Sequence, residues 1–123
     1  MTPPLPHVLV AEDNTLVADA MRLLFEETGH RVTTAGTVVA VVEAAASDPV
    51  DLLLLDLGLS DGDGLEVLEI LAARDALPRV SVALTGRDEP EIIERCRAAG
   101  CREVLLKPVP VGVLLRKTRE WLE

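Results

Sequence analysis

Glu12, Asp13, Asp56, Thr85 and Lys107 are the residues whose types and positions could do chemistry together. Each stands at the end of a short apolar run, which is where a strand would deliver a side chain to the rim of a sheet. Three carboxylates brought together repel each other and need a counter-charge. Their hard oxygens suit Mg²⁺, which keeps several waters and also takes phosphate oxygens. A metal so held neutralises charge on a transferring phosphoryl group, and a carboxylate can attack phosphorus to give an aspartyl phosphate. The Thr85 hydroxyl could donate to one phosphoryl oxygen, and the Lys107 ammonium could offset the charge of another.

Taken singly, each residue also has a plain structural use. Glu12 and Asp13 could complement a helix dipole, and Asp56 could cap a helix or turn. Thr85 could be a turn residue and Lys107 a solvated lysine. The functional reading rests on their coincidence at four strand ends of one rim.

The elements that must position these residues alternate strand and helix five times. His7 to Ala11 reads as strand one, and Asn14 or Thr15 caps a helix whose Leu16, Met21, Leu24 and Phe25 recur at roughly helical spacing. Gly29 ends that helix, and the β-branched run Arg31 to Ala35 is strand two. Thr37 to Ala46 is ambiguous by propensity, but its length and the Asp48-Pro49 stop favour a helix. Asp51 to Leu55 is a continuous apolar run of the buried parallel type, with Asp56 at its end. Gly58 to Gly64 reads as a turn, Leu65 to Arg74 as a helix and Arg79 to Leu84 as strand four. Glu89 to Ala99 is a charged helix closed by Gly100, Arg102 to Leu106 is strand five, and Pro110 to Leu122 is the last helix.

Such alternation implies an α/β fold: a doubly wound, five-stranded parallel sheet with helices on both faces. Right-handed crossovers limit the strand orders, and the flavodoxin-like order 2-1-3-4-5 is one common solution. In that order strands one, three, four and five are neighbours, so their ends share one crevice. One domain over 7–123 is expected, with residues 1–6 as a flexible N-terminal tail.

The net charge of -9 argues against direct nucleic-acid binding. Residues 1–78 carry 14 acidic and 3 basic side chains, and 79–123 carry 7 and 9. This asymmetry reads either as chance on a solvated surface or as an acidic pocket followed by a partner face. Cys96 and Cys101 lack metal-site spacing and read as reduced, structural thiols. No segment has the length of a membrane span, and Met-Thr-Pro-Pro-Leu-Pro has no signal-peptide pattern, so a cytoplasmic protein is expected.

At the site residues the sequence resembles the response-regulator receiver family of two-component signalling. The marks are Val8-Leu9-Val10-Ala11-Glu12-Asp13-Asn14, Asp51-Leu52-Leu53-Leu54-Leu55-Asp56-Leu57, Asp63-Gly64-Leu65-Glu66, Leu84-Thr85-Gly86 and Leu106-Lys107-Pro108. Each is weak alone, but all five occur in order, and the resemblance runs from Val8 to Leu122. It implies that Asp56 accepts the phosphoryl group and that Thr85 and Lys107 contact it. It implies that Asp13, Asp56 and the Gly58 carbonyl bind Mg²⁺ directly, with Glu12 acting through water. It implies a cis Lys107-Pro108 peptide. The donor it implies is a sensor histidine kinase or a phosphotransfer protein, with small acyl phosphates as substitutes.

The sequence departs from the family pattern at several points. The aromatic usual three residues before the lysine is Val104, and the chain has no tyrosine. The proline often found four residues after the phosphoacceptor is Ser60. Gly58 and Arg87 occupy two positions that often tune the lifetime of the phosphoryl group.

Phosphorylation of Asp56 is expected to act as a two-state switch on an output protein or effector domain. The expected output face is helix 4, strand 5 and helix 5, with Arg95, Arg97, Arg102, Arg116 and Arg119 as candidate contacts; a homodimer is one arrangement this face allows. Enzyme activity beyond the domain's own phosphorylation and dephosphorylation is not expected. An aspartate-nucleophile phosphatase usually carries a second acid two residues after the nucleophile, and that residue is Gly58. The alternative is a phosphorylation-independent interaction module with a vestigial site. A calcium loop at Asp61-Gly62-Asp63-Gly64 fails because Leu59 and Ile70 would fall at ligand positions.

Overall fold

The computed structural model describes residues 4–123. Five parallel strands form the main sheet: β1 (His7–Ala11), β2 (Arg31–Ala35), β3 (Leu52–Asp56), β6 (Val80–Thr85) and β7 (Glu103–Leu106). They lie in the order β2-β1-β3-β6-β7, which is the expected order once the short strands β4 (Gly58–Leu59) and β5 (Gly62–Asp63) are set aside. Those two form a separate antiparallel hairpin, with Gly58 opposite Asp63 and Leu59 opposite Gly62, inside the segment expected to be a plain turn. The five helices are α1 (Thr15–Glu27), α2 (Val38–Ser47), α3 (Leu65–Ala73), α4 (Pro90–Ala98) and α5 (Val111–Trp121).

Every residue of β1, β3 and β6 is buried, as expected for strands covered on both faces. Successive side chains alternate between two cores. Leu9, Ala11, Leu53, Leu55 and Ala83 pack under α2, α3 and α4. Val8, Val10, Leu52, Leu54, Val82 and Leu84 pack under α1 and α5, against Phe25, Leu114 and Trp121. The edge strands β2 and β7 are only partly covered.

Local signals set the helix ends. Asn14 Oδ1 accepts from the N–H groups of Leu16 (3.0 Å) and Val17 (3.2 Å). The Thr37 hydroxyl accepts from Ala40 N–H at 3.0 Å. A second cap on α2 comes from a distance: Asp61, in the hairpin turn, accepts from Val38 N–H at 2.6 Å. At the far end of α4, Gly100 takes φ +102°, Cys101 N–H reaches the Cys96 carbonyl (3.0 Å) and Gly100 N–H reaches that of Arg97 (3.0 Å). This C-terminal motif normally brings an apolar contact between its first and last residues, and here that contact is the pair of thiols.

The sheet's N-terminal edge is pinned by His7, which is 1% exposed. Its ring nitrogens bond the Pro49 carbonyl (2.9 Å) and the Thr33 hydroxyl (2.8 Å), while its N–H donates to Asp51 (2.8 Å). The Pro6 carbonyl accepts from Arg31 N–H at 2.9 Å. Residues 1–3 of the expected tail lie outside the described residues. No helix among the described residues is long and apolar enough to cross a membrane.

Candidate functional site

The topology carries Glu12 and Asp13 past the end of β1, Asp56 to the end of β3, Thr85 to the end of β6 and Lys107 just past β7. These strands are neighbours in the sheet, so their ends converge on one rim. Carboxylate oxygens of Glu12, Asp13 and Asp56 all lie within 4.8 Å of one another. Lys107 Nζ stands 2.9 Å from Asp56 Oδ2 and 3.7 Å from Glu12 Oε1. The other Asp56 oxygen, Oδ1, accepts from Gly58 N–H at 3.0 Å. Glu12 and Asp56 are buried, and Asp13 is exposed at the mouth.

Burial pushes the Glu12 carboxyl above its ordinary value. The Asn14 N–H, bonded to Glu12 Oε2 at 3.2 Å, pulls the other way. Neighbouring Asp56 raises it further, and Lys107 lowers it. One ammonium thus faces several carboxylates in a partly dry crevice, an arrangement short of positive charge. All these donors are hard oxygens in mutual reach, so the residues fit a divalent cation of the Mg²⁺ kind.

Thr85 is 5% exposed, and its hydroxyl oxygen accepts from Arg87 N–H at 3.0 Å. A cavity of about 380 Å³ adjoins Asp56 on this side, between Gly58, Asp63, Thr85 and Arg95. The Arg87 guanidinium is turned to Glu89, at 2.9 Å. Gly64 lets the backbone close behind the site: a Cβ there would sit 2.6 Å from the Asp56 carbonyl oxygen. The Lys107-Pro108 peptide is cis, as the resemblance implied.

Val104 packs on the α2–α3–α4 side of the sheet, whereas Phe25 and Trp121 belong to the opposite core. No aromatic ring therefore shares a core with Val104. All five arginines considered for a partner face are exposed. Arg95 also pairs with Asp63 at 2.7 Å, and Arg119 lines a cavity with Thr28, His30 and Leu115 on the α1 side. Sequence reasoning missed Glu103, which accepts from Lys117 (2.6 Å) and from the Trp121 indole N–H (3.2 Å) between β7 and α5. Helical spacing from Lys117 to Trp121 was the one available signal for it.

Comparison with known proteins gives the family. The model of the response regulator receiver domain family matches residues 8–119. The chain belongs to that family. It is 36% identical over 114 residues to the KDP operon transcriptional regulatory protein KdpE of Escherichia coli, covering 92% of this chain and 49% of that protein. It is 31% identical over 112 residues to the sensory/regulatory protein RpfC of Xanthomonas campestris, covering 89% of this chain and 15% of that protein. The chain thus spans about half the length of KdpE and a smaller part of RpfC. Among solved structures it superposes on a CheY-like receiver domain from Methanospirillum hungatei with TM-score 0.88 and 28% identity, covering 96% of this chain and 94% of that one. The chain is thus a signal-transduction module of the two-component class.

Proposed function

We propose that Asp56 accepts a phosphoryl group, with Mg²⁺ held by Asp13, Asp56 and the Gly58 carbonyl and Glu12 acting through water. The observation that carries this reading is the convergence of three carboxylates, the Thr85 hydroxyl and the Lys107 ammonium on one rim. The donor is a phosphohistidine on a sensor histidine kinase or a phosphotransfer protein, in the cytoplasm. A carboxylate oxygen of Asp56 forms the new bond to phosphorus as the P–N bond breaks, and that electron pair returns to the imidazole. Lys107, already on Asp56 Oδ2, offsets charge on one phosphoryl oxygen, and Thr85 donates its O–H to another. Bound Mg²⁺ would supply the neutralising charge that the crowded carboxylates lack. Gly58 carries no acid to protonate an external leaving group, so turnover of phosphoesters is not part of the proposal.

Phosphorylated Asp56 gains contacts that the free carboxylate lacks, and that difference shifts a two-state equilibrium. The output surface is the face of α4, β7 and α5, where Arg97, Arg102 and Arg116 are exposed. It would meet an output protein, an effector domain or a second copy. Replacing these three by alanine should weaken that association, and unchanged affinity would remove the face from consideration. An interaction module with a vestigial site is not favoured, because the carboxylates, the hydroxyl and the ammonium that the chemistry calls for are all present in the chain.

The test is intact mass after incubation with Mg²⁺ and acetyl phosphate. One phosphoryl adduct is expected, dependent on Mg²⁺ and absent in Asp56→Asn. No adduct with acetyl phosphate, and no response to beryllofluoride, would overturn the proposal.

A further inference from the structure

Of the five helices, α4 is the least anchored: Cys96 is its one buried residue, whereas α2 and α3 each bury four. Ile92 is half-buried beside it, and the cavity adjoining Asp56 lies against Ile92 and Arg95. A helix held by so little apolar contact lies at the low end of local stability. Polar ties to neighbouring elements then weigh more heavily in where it sits.

One such tie leads back to the phosphoacceptor. Arg95, on α4, donates to Asp63 Oδ2 at 2.7 Å, across 32 residues of sequence. Asp63 Oδ1 accepts from Leu65 N–H at 3.0 Å, which fixes the start of α3. Asp63 lies opposite Gly58 in the β4–β5 hairpin. Gly58 N–H in turn donates to Asp56 Oδ1 at 3.0 Å. Behind the hairpin, Gly64 N–H bonds the Leu57 carbonyl at 2.9 Å and closes the loop on itself. The links run without a gap from the Asp56 carboxylate to the middle of α4.

Resting on the receiver reading above, we propose that Arg95 and Asp63 are positioning residues: a strut that couples the state of Asp56 to the placement of α4. When Asp56 Oδ1 is esterified or meets a phosphoryl group, it no longer receives the Gly58 N–H as a free carboxylate oxygen does. Gly58 shifts, the hairpin shifts with it, and Asp63 carries the change to Arg95. The pair is exposed, with side chains 60% and 36% accessible, so it adds little to overall stability. That suits a contact which must be remade between two states of similar energy.

The experiment reads two quantities on the same samples: the intact mass after Mg²⁺ and acetyl phosphate, and amide hydrogen exchange of residues 90–98 with and without Mg²⁺ and beryllofluoride. It uses the wild type, Asp63→Asn, Arg95→Gln and Arg95→Lys. In the wild type the exchange of α4 should change about threefold or more on beryllofluoride binding. Asp63→Asn and Arg95→Gln should still take the adduct yet lose most of that change, while Arg95→Lys, which keeps the charge, should retain it largely. A merely structural role would loosen α4 equally in both states and leave the ratio intact. Full wild-type response in variants that carry the adduct would overturn the strut, as would an unresponsive α4 in a phosphorylated wild type. Absence of any adduct on the wild type would defeat the receiver reading first and the strut with it, and the mass measurement tells that case apart.

Discussion

Replacing Gly64 by alanine tests how tightly the backbone closes behind Asp56. The added Cβ would lie 2.6 Å from the Asp56 carbonyl oxygen and 3.0 Å from Leu57 Cα, both of them main-chain atoms. The optimum for non-bonded heavy atoms is about 3.5 Å, so roughly 0.9 Å must be made up by moving backbone. On one side stands β3, paired along its length with β6; on the other stands the 2.9 Å bond from Gly64 N–H to the Leu57 carbonyl. Overpacking of this kind costs about 1–3 kcal/mol. Gly64 already has helical angles, φ -53° and ψ -31°, so alanine also gains about 0.4–1 kcal/mol through the unfolded chain. The steric term wins, leaving a net loss of about 1–2 kcal/mol. With an unfolding entropy of about 2.1 cal/mol/K per residue, a chain of this length should lose about 4–8 °C in Tm. Thermal unfolding followed by circular dichroism measures it, with Gly86→Ala as control, since a Cβ there meets nothing within 4 Å. The clash falls on the main chain of Asp56 itself, so the acetyl phosphate adduct should also form more slowly. A Gly64→Ala protein as stable as the wild type would show that helix propensity outweighs the close approach, and the reasoning would fail.

Further expectations follow from other contacts. Asp61→Ala removes the 2.6 Å cap on Val38 N–H and should cost about 1 kcal/mol in urea unfolding, with Thr37 still capping Ala40. Mg²⁺ at a hundred times its Kd should stabilise the fold by about 2.7 kcal/mol, and Asp13→Asn should blunt that gain; a Tm indifferent to Mg²⁺ would count against the metal site. Burial pushes the Cys101 thiol up to about 12 from an ordinary 9.0, and Cys96 is raised for the same reason. Between those values the folded chain keeps a proton that the unfolded chain has lost, so stability should be unaffected below about pH 9 and fall as pH rises above it. The same burial predicts slow alkylation of both thiols at pH 8 in the native protein and fast alkylation in urea; rapid native labelling would contradict it.

How much of this was legible in the sequence follows from the range of each interaction. The five main strands and five helices were readable because periodicity, caps and stops are local: the Leu52–Leu55 run, Asn14 before α1, Gly100 after α4. The rim residues were readable because parallel connections oblige ligand groups to follow the strand ends. The hairpin β4–β5 was not, because two-residue strands have no periodicity to show. Nor were the long-range pairings. Asp61 caps a helix 23 residues earlier, Arg95 meets Asp63 across 32, and Glu103 gathers Lys117 and Trp121 across 14 and 18. A charged side chain has no preferred partner in the sequence; its partner is chosen when packing sets which helix face lies over which loop. So the type and order of the elements and the identity of the rim residues were legible in the sequence alone. Tertiary packing alone decided which arginines stay free for a partner and which one reaches back to the site.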